Sequence, residues 1–500
     1  MKQNQNKLND KQHKKKSRGI KPSVYVLSMI LVAILTFGAS TFFSGEHALE
    51  EGILPNTPNT PKESFDLIGE VGGKNLQAVY ETILNNYIEE IDEETLVEGA
   101  LKGMVNAVDD PYSQYLNLEE SDVLDETISA SFEGIGAEIT SLNDQIVIVS
   151  PIKGSPAEKE GLKPNDIVLQ ADDVPLTGMT TTEAVSLIRG EKGTVIQLEI
   201  QRGKQTFTVD VVRDTIPIET VTYEMDENNP EIGALHIHSF SKPTYNEIVT
   251  AVEELRMDGA KQFIFDFRRN PGGLLDQALK ISNLFLKDGD TIVQTEEKGS
   301  APQPIKANDK ELGTFKITEP VVLLVDEGSA SASEIVAGAL KESASIPLVG
   351  TKTFGKGTVQ TIYPLDTNSE LKLTVAKWLT PNGNWIHDEG IKPDYEVKLP
   401  DYVFLTLIDS AAEYTYGKVS ESVLNVEKIM EAIGFTIVAD GYYDEDTVRA
   451  VETFQVDENL EMTGEVNDET AVALVEKLRE VISENDTQYE KAVEILTKDH

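Results

Sequence analysis

A serine, a lysine and a glutamine between residues 321 and 360 have the types and spacing needed to attack an acyl carbon. Val321-Val322-Leu323-Leu324-Val325 is an apolar run with the length and β-branched content of a buried strand. Asp326, Glu327 and Gly328 break it, the small residues 329–333 follow, and the stretch from Glu334 to Leu340 reads as a helix. A strand–turn–helix step of this kind can expose Ser331 at the mouth of the turn, with a helix N-terminus behind it. Lys356 follows twenty-five residues later between Gly355 and Gly357, and Gln360 four further on. A hydroxyl needs a base to become a nucleophile, and a lysine whose pKa is pushed well below ~10.4 by burial can be that base. Geometry sets a condition on Gln360. Fully extended, Cα atoms four residues apart lie ~13 Å away, whereas one helical turn brings them to ~6 Å. Residues 356–360 are therefore expected to be bent or helical, with Gly357 permitting it.

Two plainer readings compete. Ser331-Ala332-Ser333-Glu334 is also a capping box, with Ser331 as N-cap and Glu334 at the third helical position. The run from Gly350 to Lys356 matches the first seven positions of a phosphate-binding loop. Its eighth position must be Ser or Thr to hold magnesium, and here it is Gly357. The following Thr358-Val359-Gln360-Thr361-Ile362-Tyr363 is β-branched, so no helix dipole would face a phosphate. Nucleotide binding is rejected on both grounds.

The pattern S-A-S-A-S-E followed by F-G-K-G-x-V-Q resembles the carboxyl-terminal processing peptidases, the tail-specific serine proteases that use a Ser-Lys pair. The resemblance implies Ser331 as nucleophile, Lys356 as general base and Gln360 as the residue orienting the lysine. Asp266-Phe267-Arg268-Arg269-Asn270-Pro271-Gly272-Gly273 resembles the family's D-L-R-x-N-P-G-G, with Phe for Leu. Its glycines let backbone N–H groups approach a ligand closely. The N–H of Gly272 or Gly273, together with that of Ala332, is expected to form the oxyanion hole; a plain tight turn is the alternative.

These residues need elements to position them. Residues 233–240 alternate as a strand, 245–257 read as a helix, and 263–267 as a buried strand leading into the glycine loop. The expected core, 213–400, closes with Gly390-Ile391-Lys392-Pro393-Asp394, like the family's G-I-x-P-D. Ahead of it, residues 126–212 resemble a PDZ domain. Gly134-Ile135-Gly136 matches the carboxylate-binding loop before the peptide-accepting strand, and Asn165 stands where the family has glycine, in a turn needing positive φ. Arg189 lies where the family carries an arginine; the resemblance suggests that it couples an arriving carboxylate to the protease, against a plain reading as a solvated helix-terminal cation. Residues 65–125 have helical apolar spacing, and the resemblance implies a role in pairing two subunits. His236 and His238 share a strand face, but no third ligand has a telling spacing, so neither metal nor cofactor is expected.

At the far end, residues 418–482 contain an internal repeat. Gly441 to Thr447 is echoed by Gly464 to Thr470 with a period of 23, and each copy is followed by an apolar helix. This is similar to the small three-helix peptidoglycan-binding domain; an acidic helical appendage that binds nothing is the alternative. Residues 483–500 read as a tail.

Composition limits the setting. The formal charge is −42, while residues 1–21 hold eight basic residues and one acid, leaving −49 on the rest. Such a body repels nucleic acid and anionic surfaces. With no cysteine, thiol catalysis and cysteine-ligated zinc are excluded. After the basic segment 1–21, residues 22–45 hold an uncharged run long enough to span a bilayer, with the N-terminus on the cytoplasmic side. A retained anchor is expected, with cleavage near Gly38-Ala39-Ser40 as the alternative that would release the protein. Residues 46–64 read as a Pro-containing linker. The expected architecture is multidomain α/β and α+β: anchor, PDZ domain, Ser-Lys protease core and small helical C-terminal domain. The resemblance implies an extracytoplasmic endopeptidase acting on proteins with accessible C-termini. An inactive wall-associated peptide-binding scaffold is the competing class.

Overall fold

The structure is a computed structural model that describes residues 70–365, 369–409 and 412–498. The basic segment 1–21, the expected anchor 22–45 and the linker 46–64 lie outside the described residues. Among the described residues no helix is long and apolar enough to cross a membrane. The chain divides into two compact units, residues 1–219 with 360–374, and residues 220–359 with 375–500.

The first unit opens with helices Glu70–Asn86 and Glu93–Asn106. Asp92 caps the second, accepting from the Thr95 N–H, and helix Leu118–Ser129 starts with a reciprocal Asn117–Glu120 capping box. The PDZ region is an antiparallel sheet in the order Ala137–Leu142, Gln145–Pro151, Ile167–Ala171, Val195–Arg202, Gln205–Val212. Inward-facing residues alternate along its strands: Ile146 and Ile148, then Ile196, Leu198 and Ile200, pack with Ala184 and Ile188 of helix Thr181–Ile188. Asn165 has φ 67°, so it does occupy the left-handed turn position expected of it.

The second unit is built on a six-stranded sheet ordered Val221–Met225, Ile232–Ile237, Gln262–Asp266, Val321–Val325, Leu348–Gly350, Tyr395–Glu396. The first pair is antiparallel and the others are parallel. Strand residues sort by parity. Phe263, Phe265, Val321, Leu323 and Val325 pack beneath helices Thr244–Asp258, Leu275–Asn283 and Ala332–Ser343. Ile264, Val322, Leu324 and Val349 face the other way, onto Ala492 and Leu496. A strand that is apolar at both parities needs a cover on both faces. The second cover is the helix Thr487–Lys498. Residues 487–498 are thus not a tail; burial of Ala492 and Leu496 against the sheet makes them part of the core.

The repeat region forms helices Glu421–Ala432, Glu445–Asp457 and Asp468–Glu484 around Val423, Val426, Tyr443, Phe454 and Leu474. The 23-residue period has a structural cause. Gly441 and Gly464 both adopt positive φ, and Asp444 and Asn467 cap the next helix through the N–H groups of Thr447 and Thr470. Each loop hangs on a buried side chain of the preceding helix. Glu427 accepts from the N–H of Asp440 and Gly441 at 3.0 and 2.8 Å. Gln455 accepts from those of Thr463 and Gly464 at 2.8 and 3.0 Å.

Candidate active site

Ser331 sits on the sharp turn between strand Val321–Val325 and helix Ala332–Ser343, with φ 54° and ψ −111°. That conformation is costly for a residue with a Cβ and persists only where its surroundings enforce it. The enforcement is visible. Ser329 Oγ donates to Phe267 O at 2.8 Å and accepts from the Asp326 N–H. The Ala330 N–H and Ser333 Oγ both donate to Asn270 O, at 3.0 and 2.9 Å. The turn is therefore stitched on both sides of Ser331 to the neighbouring strand end and its loop.

Glu334 does more than close a capping box. It is fully buried, and each of its oxygens accepts two hydrogen bonds. Oε2 takes the backbone N–H of Ser331 at 2.9 Å and that of Lys356 at 2.8 Å. Oε1 takes Thr353 Oγ1 at 2.6 Å and the Gly355 N–H at 2.7 Å. One carboxylate oxygen therefore joins the backbones of the serine and the lysine. Burial pushes the Glu334 carboxyl above its ordinary range, while the four donors pull it down.

Lys356 is 3% exposed. Its loop is clamped by both tryptophans of the chain: Trp378 Nε1 donates to Lys356 O and Trp385 Nε1 to Gly357 O, each at 2.9 Å. A Cβ on Gly357 would lie 2.8 Å from the His387 N and 2.9 Å from Trp385 Nε1, so only glycine fits. Nothing in the local spacing around Lys356 pointed to Trp385; its indole becomes relevant only once the chain has folded back.

The glycine loop lies against the same turn. A Cβ on Gly272 would meet Ala330 O at 2.6 Å, the Ala332 N at 2.9 Å and Ser331 Cβ at 3.0 Å. The two glycines differ, however. The Gly272 N–H is committed to Asn270 Oδ1 at 2.9 Å, which takes it out of the expected oxyanion hole. The Phe240 N–H donates to Gly272 O and the Leu274 N–H to Phe240 O, so Gly273 spends no N–H on this bridge. Ala332 is the first residue of its helix, where an N–H has no partner within the helix.

Gln360 falls outside the second unit. It lies in strand Thr358–Pro364 and donates to Thr374 Oγ1 at 3.1 Å, both within the first unit. The expected helical turn over 356–360 does not form, because Thr358, Val359, Thr361 and Ile362 are β-branched and the backbone from Thr358 onward is extended.

The profile of Peptidase family S41 matches residues 231–397, the span holding all of these loops. An activating-protease N-terminal domain profile matches 29–120, a PDZ profile 147–202, and a putative peptidoglycan-binding profile 419–474. Across almost the whole chain the sequence is 43% identical to the carboxy-terminal processing protease CtpA of Bacillus subtilis, covering 94% of this chain and 98% of that one. The chain belongs to peptidase family S41. A probable CtpA-like serine protease of Staphylococcus epidermidis is 39% identical, over 83% of this chain and 84% of its own. Among solved structures, the photosystem II D1 C-terminal processing protease is 27% identical with a TM-score of 0.38, covering 65% of this chain and 88% of that one. The protein is a serine-type peptidase.

The residues expected to bind peptide lie in and beside the span that the PDZ profile matches. Gly134 ends the short strand Ser131–Gly134, while Ile135 and Gly136 form the loop into strand Ala137–Leu142. Gly136 has φ 73°, and a Cβ there would fall 2.4 Å from Ser155 Cβ. Among the described residues, strand Ala137–Leu142 pairs on one side only, with Gln145–Pro151, which leaves an edge for strand addition. Arg189 is the C-cap of helix Thr181–Ile188. Its Nη1 donates to both Glu126 oxygens at 2.8 Å, and its guanidinium lies 4.7 Å from the Phe132 ring centre. It is thus held by a carboxylate and an aromatic ring, unlike a freely solvated helix-end cation. His236 Nδ1 lies 3.1 Å from Asp266 Oδ2, and His238 Nε2 lies 3.0 Å from Thr222 Oγ1.

Proposed function

We propose that this S41 peptidase works by a Ser-Lys mechanism outside the cytoplasm, capturing C-terminal tails through its PDZ domain. The observation that carries the reading is the shared Glu334 oxygen, which ties Ser331 on its strained turn to the backbone of a buried Lys356. Burial favours the neutral amine that a general base needs. Lys356 Nζ takes the Ser331 Oγ proton as Oγ attacks the scissile carbonyl, and then returns it to the leaving amine. The N–H groups of Gly273 and Ala332 hold the oxyanion. The edge of Ala137–Leu142 accepts the substrate tail as an added strand, with its terminal carboxylate at Ile135 and Gly136.

The uncharged run in 22–45 and its basic flank support a retained anchor with the body outside, and the 418–482 module would then meet peptidoglycan. Leu76, Val79, Val97 and Met104 are exposed on the first two helices, and Tyr87 and Ile88 on the connection between them, which supports pairing of two subunits there. The test is hydrolysis of an unfolded protein ending in a free apolar carboxyl residue. Ser331→Ala should abolish turnover while still binding the tail. A Ser331→Ala protein that turns over substrate at the wild-type rate removes the mechanism, and one that fails to bind the tail removes the PDZ role.

A further inference from the structure

The loop from Arg268 to Gly273 carries the oxyanion N–H of Gly273, and it is pinned residue by residue. The Arg269 N–H donates to Asp326 Oδ1 at 2.7 Å. Asn270 is fully buried; its Nδ2 donates to Ile237 O at 2.7 Å, and its Oδ1 receives the Gly272 N–H. All of these pins come from the protease sheet and its turns. Arg268 is held in part from elsewhere. Arg268 Nε and Nη2 engage Asp266 at 2.6–3.0 Å. Its Nη1 donates to Asp486 Oδ1 at 2.9 Å and Gln488 Oε1 at 3.1 Å, and Nη2 lies 2.7 Å from Asp486 Oδ2. Asp486 is itself fixed, accepting through Oδ1 from the N–H groups of Gln488 and Tyr489 at the start of the last helix. Gln488 is 1% exposed and also donates to Val397 O at 2.8 Å.

The protease sheet ends with Tyr395–Glu396, the three-helix module follows, and only then does Thr487–Lys498 return to close the sheet. The module is therefore spliced into the catalytic unit and is tethered at both ends. We propose that the final helix is a working part of the catalytic centre. Asp486 and Gln488 are positioning residues that fix Arg268, and through it the register of the loop presenting the Gly273 N–H. A guanidinium held on two edges by carboxylates has one orientation, so its backbone cannot slide along the strand end. Without Asp486, Arg268 keeps the Asp266 carboxylate at the end of its own strand and one neutral acceptor, Gln488 Oε1.

This inference rests on the oxyanion reading above, and the two fail differently. The experiment is steady-state hydrolysis by the full-length protein, read well below each variant's thermal midpoint. Asp486→Asn keeps the shape and removes the charge; it should lower kcat about tenfold with KM unchanged, as a small misplacement of a reacting group does. Asp486→Glu should recover part of that loss. Gln262→Ala is the control, since Gln262 Nε2 donates to Leu496 O at the other end of the same helix, 3.1 Å away. It should lower the thermal midpoint and leave kcat alone. If Asp486→Asn does not fold, Gln488→Ala is read in the same way. Wild-type kcat in the folded Asp486 or Gln488 variant overturns the proposal. So does a kcat loss in Gln262→Ala, which would mean that the helix acts through stability alone. Turnover by Ser331→Ala would instead overturn the mechanism, whatever the Asp486 result.

Discussion

The most consequential side chain besides Ser331 and Lys356 is Glu334, and its role was half legible. The S-x-x-E spacing showed that Glu334 could reach the Ser331 N–H, but not that its second hydrogen bond on Oε2 would come from Lys356, twenty-two residues away. Local spacing reports neighbours along a helix; it is silent about a loop that returns after another strand. Glu334→Gln should show how much this carboxylate matters. Whichever way the amide turns, its NH2 group faces one pair of donors, either Ser331 and Lys356 or Thr353 and Gly355. A loss of about 2–3 kcal/mol in urea unfolding is expected, with peptidase activity falling alongside. Wild-type stability would show that the four hydrogen bonds are not needed. The histidines give a pH test. Burial, then the neighbouring His236, pushes the His238 pKa down to about 4, so the folded protein resists a proton that the unfolded chain takes up near 6.5. Stability should therefore fall by about 2 kcal/mol between pH 7 and pH 5 through this group. His236 works the other way. Burial opposes its charge, but the Asp266 carboxylate outweighs it and raises the pKa, giving stability that is present below about 6.5 and lost as pH rises. His238→Gln should remove the acid-side loss, measured as unfolding midpoints at the two pH values; an unchanged loss would place its origin elsewhere.

At the scale of elements, the strands and helices of the core were readable because their apolar patterns are strong. Residues 321–325 form the expected strand, and 245–257 sit within helix Thr244–Asp258. The misreading at 356–360 came from asking what Gln360 would need in order to reach Lys356, when Thr358, Val359, Thr361 and Ile362 already specified an extended backbone. The two loop glycines could not be told apart in sequence, because the distinction depends on Asn270 Oδ1 capturing the Gly272 N–H. They predict different clashes. Gly273→Ala would bring a Cβ within 2.3 Å of Phe240 O at φ 142°, breaking the bridge that holds the loop to the sheet. Displacing one oxyanion donor should cost about 10²-fold or more in kcat. Single-turnover hydrolysis by a folded Gly273→Ala protein checks this, and a rate near wild type would remove Gly273 from the oxyanion hole.

For the whole molecule, the PDZ domain, protease core and C-terminal helical module were legible from motifs, but the path of the chain was not. The run of alternating-parity apolar residues in 321–325 requires two covers, and the second lies beyond a separate module, at residues 487–498. Short amphipathic ends of a chain read as tails because their burying partners, Ile264, Val322, Leu324 and Val349, lie more than about 130 residues earlier. The charge pattern makes a prediction at this scale. With +7 on residues 1–21 and an uncharged run in 22–45, the full-length protein should sediment with membranes. Deletion of residues 1–45 should release an equally active protein into the soluble fraction. Full-length protein found soluble at its original size would contradict a retained anchor.

The central claim is that Lys356 acts as a base, and substitution by arginine tests it most directly. Lys356→Arg keeps a long cationic side chain in a buried site, yet a guanidinium cannot give up its proton at working pH. The account predicts a folded variant with no detectable hydrolysis of an unfolded protein substrate at any pH from 6 to about 10. A folded Lys356→Arg protein that cleaves the same substrate would contradict it.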